Sequence, residues 1–172
     1  MPTSPTFIAI DFETASFERT SACAVSLVRV ENLEIVQRET RLIRPPSPNF
    51  HFTYIHGLTW ADVAQEPTFG EIWPELEPLL DGTDFLAAHN APFDRGVLDA
   101  CCDHSGCDMP DLPFICTVNL ARRMWRIYPT KLPMVCERLG IPLVHHDPAS
   151  DAEACARITI AAMKDGWRGL EG

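Results

Sequence analysis

Phe7-Ile8-Ala9-Ile10-Asp11-Phe12-Glu13-Thr14 is the stretch on which the fold turns. Thr6 to Ile10 is an apolar run of strand length, and it runs straight into two carboxylates two residues apart. In a strand successive side chains alternate between faces, so Asp11 and Glu13 share one side and Phe12 points to the other, toward a core. Two like charges side by side are costly unless a cation or a proton intervenes. Hard divalent cations with oxygen ligands meet that need. A strand end with two solvated acids is the plainer alternative.

Downstream, Cys23 to Val30 and Leu33 to Ile43 read as two further strands, and Asn32 in the short polar link predicts a hairpin. Thr68-Phe69-Gly70-Glu71 matches a capping box. Ile72, Leu76, Leu79 and Leu80 continue a helical spacing that Asp81-Gly82 ends. Phe85 to Ala88 is a short strand. Pro92 opens a helix to about Asp103, with Asp94 in its first turn. Phe114-Ile115-Cys116 reads as a last strand, followed by helices at Val118–Trp125 and Leu132–Leu139. Ser150-Asp151-Ala152-Glu153 is a second capping box, opening a terminal helix through Met163. Three locally paired strands followed by alternating helices and strands predict an α/β fold: a mixed five-stranded sheet flanked by helices.

The 172 residues suit a single domain over 1–172 with a real core. Apolar residues make up 46% and charged residues 22%, which argues against disorder. No apolar run reaches membrane length, and the start Met1-Pro2-Thr3-Ser4-Pro5 lacks the charged and apolar regions of a secretory signal. The expected location is cytoplasmic, with no membrane partner. A net charge of −10 argues against non-specific nucleic-acid binding through bulk charge, but not against a local basic groove. Arg122, Arg123, Arg126, Lys131 and Arg138, interleaved with Trp125 and Tyr128, form the one basic concentration, read either as a phosphate-tracking face or as a solvated helix face. Seven cysteines without disulfide spacing read as reduced and mostly buried. Cys101, Cys102, His104 and Cys107 are soft ligands close in sequence, yet no second segment completes a zinc site.

Asp94 in His89-Asn90-Ala91-Pro92-Phe93-Asp94, and Asp151 at its helix start, are each explained alone by the helix dipole. His146 precedes Asp151 by five residues on a loop, where a histidine can act as a base near neutrality. His145 beside it leaves that choice open.

The three segments in order carry more than their parts. They resemble the first, second and third motifs of the DEDDh 3′–5′ exonuclease superfamily, the DnaQ-like, proofreading epsilon-subunit-like group with a ribonuclease H-like three-layer sandwich. Ile55-His56-Gly57-Leu58-Thr59, Cys116 to Arg123 and Leu139-Gly140-Ile141 are similar to further family segments. Two departures stand out. The loop glycine after the first motif is absent from Asp11-Phe12-Glu13-Thr14-Ala15-Ser16, and Cys116 replaces an aspartate before Thr117.

The resemblance implies that Asp11, Glu13, Asp94 and Asp151 hold two Mg²⁺ or Mn²⁺ ions, with Asp11 bridging and Asp94 on the leaving-group side. It implies His146 as general base, and nucleoside 5′-monophosphates as products. It implies a grip on single-stranded DNA or RNA 3′ ends by Phe12, Thr14, Ile55, His56, Leu58 and Asn90, with Arg122 and Arg123 on phosphates. Phe12 has the competing core reading given above, and His89 reads as structural. A ribonuclease H-like endonuclease, a non-catalytic nucleic-acid-binding module and a metal-dependent phosphatase are the alternatives. Oligomeric state is not legible, which leaves a homodimer open.

Overall fold

The computed structural model describes residues 3–170. Met1 and Pro2, where the reading for a signal begins, and the last two residues lie outside them. β1 (Phe7–Thr14), β2 (Ala22–Glu31) and β3 (Glu34–Leu42) pair antiparallel, while β4 (Phe85–Ala88) and β5 (Phe114–Cys116) add in parallel. The sheet order is β3-β2-β1-β4-β5, the mixed five-stranded sheet expected.

Alternation along β1 divides the core. Ile8, Ile10 and Phe12 pack on α3 (Phe69–Leu76) and α4 (Ala91–Ser105), through Ile72, Trp73, Val97 and Leu98. Phe7 and Ala9 face α7 (Pro148–Lys164), through Ala152, Cys155 and Ala156. The small side chains of α7 let its axis lie close to the sheet. Its first turn is thereby brought against the side of β1 that carries Asp11 and Glu13. α5 (Thr117–Trp125) and α6 (Leu132–Leu139) pack on α7 through Ala121, Val135, Ala154 and Ile158. Helices thus cover both faces, and among the described residues none is long and apolar enough to cross a membrane.

Several local expectations need correction. Thr68 precedes α3 but its hydroxyl makes no cap bond, and the α-helix ends at Leu76, with Glu77–Leu80 in a 3₁₀ turn. Pro78 has no N–H to continue the α ladder. The bonded cap lies elsewhere: Asp62 accepts from the N–H and hydroxyl of Thr59. α1 (Thr53–His56) and α2 (Trp60–Val63) are single turns, too short for a period to show. The terminal helix starts at Pro148, capped by Asp147 rather than Ser150, and runs one residue past Met163. Ser150 instead accepts from the Val144 N–H at 2.7 Å. The hairpin turn is Asn32-Leu33, both at positive φ, as a two-residue loop between right-twisted strands requires.

Candidate active site

Four elements converge at the C-terminal end of β1. Strand pairing of β1 with β4 stops at Ala9 opposite Ala87, because β4 ends at Ala88 and turns into α4. Beyond that point the β1 backbone faces the first turn of α4. There the Asp94 carboxylate accepts the Phe12 N–H at 2.9 Å, taking the place of a strand partner. The turn into α4 is made by Asn90 at φ 71°, a conformation Asn tolerates better than most residues.

Asp11, Glu13 and Asp151 bring one carboxylate oxygen each within 4.8 Å of one another. Asp94 and Asp151 are buried, at 2% and 5% exposure. The buried Asp11 Oδ2 has no hydrogen-bond partner among the described residues. Burial, and then the charges of Asp94, Glu13 and Asp151, hold the Asp11 carboxyl well above the ordinary carboxylate range. Burial, then Asp151 and Asp147, push Glu13 up to about 8. Burial pushes Asp94 to about 8 despite the Phe12 N–H. Asp151 is raised by burial, against the pull of His145 and His146. An oxygen-only donor set with an unpartnered buried oxygen and mutual repulsion fits divalent cations.

The loop before α7 folds back on that helix. His146, at φ 67°, gives its backbone N–H to Asp151 Oδ2 at 3.1 Å. His145 Nδ1 lies 3.4 Å from Asp151 Oδ1, and the two imidazoles lie tilted by 31° with centroids 3.7 Å apart. Burial, then His145, lower the His146 pKa. His145, rather than His146, lines a groove of about 700 Å³ with Asp11, Asp151, Arg122, Thr130 and Lys131.

The other expected residues separate. Phe12 is 3% exposed and sits in the core. Thr14 is buried, and its carbonyl accepts from His56 Nε2 at 2.9 Å. His56 Nδ1 accepts the Leu58 N–H at 3.1 Å, so both ring nitrogens clasp β1 to the segment after α1. Leu58 packs on the Ala15, Cys23 and Val63 cluster, and Ile55 is half-buried. Asn90 lines the groove. Arg122 lines it too, but Arg123 projects to a different cavity, beside Phe114 and Trp167. The basic stretch is therefore not one face. Asn119 and Thr130 are groove residues that were not named as substrate contacts, and Lys131, named only in the basic stretch, joins them. Thr130 had no signal beyond its place in the loop between two helices. His89 is structural: Nε2 donates to the Thr130 carbonyl at 2.9 Å and Nδ1 meets Thr117 Oγ1 at 2.8 Å.

The missing loop glycine is not needed. No residue from 15 to 21 has positive φ, and Ser21 closes the loop by accepting from Ser16 and donating to Glu18. Cys101, Cys102, His104 and Cys107 do not gather as a ligand set among the described residues.

A family model described as RNase_T, exonuclease, matches residues 8–159. The chain belongs to the RNase_T exonuclease family. Within this family it is 31% identical to Exodeoxyribonuclease 10 of Escherichia coli (strain K12), over 92% of this chain and 69% of that protein. A solved structure of exonuclease X in complex with 5′ overhanging duplex DNA superposes with TM-score 0.77 at 27% identity, covering 94% of this chain and 93% of that one. The nuclease domain of 3′hExo, a DEDDh family member, bound to rAMP, shares the fold with TM-score 0.83 at 20% identity, covering 98% and 96%. The chain spans 11% of the length of the PolC-type DNA polymerase III sequences from Bacillus cereus and Halalkalibacterium halodurans that it also matches. It is an exonuclease domain on a ribonuclease H-like fold.

Proposed function

We propose that this chain is a divalent-metal-dependent 3′–5′ exonuclease that removes nucleoside 5′-monophosphates from single-stranded 3′ ends, DNA first. The observation that carries this reading is the convergence of Asp11, Glu13 and Asp151 around an unpartnered buried oxygen, with Asp94 at the adjoining helix start. The DNA preference rests on the family relatives: one is named an exodeoxyribonuclease, and another is held with overhanging duplex DNA.

Asp11, Glu13, Asp94 and Asp151 are the residues that would hold two Mg²⁺ or Mn²⁺ ions. Bound there, such ions supply an activated water and neutralise charge developing on the phosphate. The chain's own residues do the rest. His146 is the proposed base that takes the proton of the attacking water; His145, which lines the groove, is the second candidate, and activity kept in His146→Ala would move the role to it. A lowered pKa keeps it unprotonated near neutrality, as a base requires. Arg122 and Lys131 flank the groove and meet the phosphates entering it. Asp94, held by the Phe12 N–H, is kept in register with β1. Water adds to phosphorus, the bond to the 3′-oxygen breaks, and the shortened strand keeps a free 3′-OH.

The test is degradation of 5′-labelled single-stranded DNA and a matched RNA, with Mg²⁺, Mn²⁺ or chelator, beside Asp11→Ala and His146→Ala. A metal-dependent ladder shortened from the 3′ end, lost in Asp11→Ala and reduced roughly 10²–10⁴-fold in His146→Ala, is expected. Cutting of a circular strand would point instead to an endonuclease. No release from either polymer by folded, metal-loaded protein would leave a binding module.

A further inference from the structure

Asp151 faces two ligand sets. On one side stand Asp11 and Glu13, all oxygen. On the other stand His145 and His146, whose ring nitrogens and an Asp151 oxygen also lie within 4.8 Å of one another. The nitrogen side is assembled by the loop, not by chance proximity of exposed groups. Val144 N–H is held by Ser150 Oγ at 2.7 Å, and His146 N–H by Asp151 Oδ2 at 3.1 Å. The Asp147 side chain caps α7 through Ala149. The three ligand residues are thus tied to one helix start.

The spacing between them is informative. His145 Nδ1 and Asp151 Oδ1 are 3.4 Å apart. That is long for a charge-assisted hydrogen bond, about 2.7–2.9 Å. Tetrahedral Zn²⁺ with bonds of ~2.0–2.1 Å places neighbouring ligands about 3.3–3.4 Å apart. Octahedral Mg²⁺ at similar bond lengths places them about 2.9 Å apart, and Mg²⁺ prefers oxygen. Imidazole suits Zn²⁺ and its borderline neighbours. No hydrogen bond among the described residues occupies the His146 ring nitrogens.

We infer that His145, His146 and Asp151 form a second metal site, selective for Zn²⁺-type ions over Mg²⁺. The site takes Asp151 and His146 away from the arrangement proposed above, so its occupancy inhibits the nuclease. That consequence rests on the exonuclease reading; the binding itself does not. Two metals of different hardness then compete for one shared carboxylate.

The metal-stripped full chain is titrated with Co²⁺, followed by visible absorption, and with Zn²⁺, followed by calorimetry, in excess Mg²⁺. Intense four-coordinate Co²⁺ bands, bleached by Zn²⁺, are expected in the wild type and in Asp11→Ala. His145→Ala and His145→Gln should lose the bands and bind Zn²⁺ at least tenfold more weakly, with circular dichroism confirming the fold. Only the faint bands of octahedral Co²⁺, or bands kept in both His145 variants, would overturn the site. So would bands lost in Asp11→Ala, which would place the ion on the carboxylates. Folded protein that releases no nucleotide with Mg²⁺ or with Mn²⁺, Zn²⁺ absent, sinks the exonuclease reading and leaves the spectra to decide the site.

Discussion

Glu13 and Asp94 set the pH behaviour of the metal-free protein. Both are pushed up to about 8 by burial, well above the ordinary carboxylate range. Between roughly pH 4.5 and pH 8 the folded state therefore holds protons that the unfolded chain has released. Folding stability without metal falls as pH rises through that window. The melting temperature in chelator should be lower at pH 8 than at pH 5.5, and Mn²⁺ should raise it more at pH 8. Asp94→Asn removes one charge while keeping an acceptor for the Phe12 N–H. It should raise the metal-free melting temperature at pH 8, by ~2–4 °C for each kcal/mol in a chain of this size, and abolish most of the Mn²⁺ gain. Stability that climbs from pH 5.5 to pH 8 in chelator would show that the carboxylates do not repel as described. The pairing of Glu13 with Asp11 was readable from residue type and spacing, whereas Asp94 stood out only through the resemblance. That Phe12 belongs to the core also followed from alternation alone, and it is 3% exposed.

Among the elements, the start of α7 controls most. Its capping box was read at Ser150, but Asp147 caps the helix, because Pro148 occupies the first turn where no N–H is needed. Ser150 is thereby freed to hold the Val144 N–H, which fixes the strand of loop carrying both histidines. Ser150→Ala leaves that N–H without its partner and should cost about 1 kcal/mol of stability. It should lower kcat more than KM, since the loop rather than the substrate groove loosens. An unchanged kcat with the predicted melting loss would make Ser150 a purely structural tie of the loop to the helix. α1 and α2 escaped the sequence reading because one turn cannot display a 3.6-residue period. The bulge opposite Glu13 and Thr14, where β2 carries Cys23 as its extra residue, likewise leaves no sequence mark, though it sits at the end of β1 that carries the site.

The overall charge of −10 makes the few groove cations decisive for a polyanionic substrate. Arg122 and Lys131 line the groove beside Asp11 and Asp151, whereas Arg123 faces another cavity and Arg138 stands exposed on α6. Lys131→Ala should weaken binding of a single-stranded oligonucleotide and reduce the dependence of log affinity on log salt by about one. Arg138→Ala should leave both nearly unchanged. Equal effects from the two changes would restore the continuous basic face that the sequence suggests and the structure divides.

Strand order, the longer helices, the mixed sheet and the Asp11–Glu13 pair were determined by local pattern: alternation, helical spacing and turn residues act within a few residues of one another. The convergence of Asp11, Glu13, Asp94 and Asp151 was legible only through the resemblance, because nothing local relates positions 80 or 140 residues apart. Tertiary structure alone decided that His145 lines the groove with His146 tilted against it, that Arg122 and Arg123 diverge, and that His56 spends both nitrogens on backbone. The physical reason is common to all three. Adjacent residues on a loop or helix point in directions set by backbone angles and by what packs against them, and sequence spacing does not carry that information.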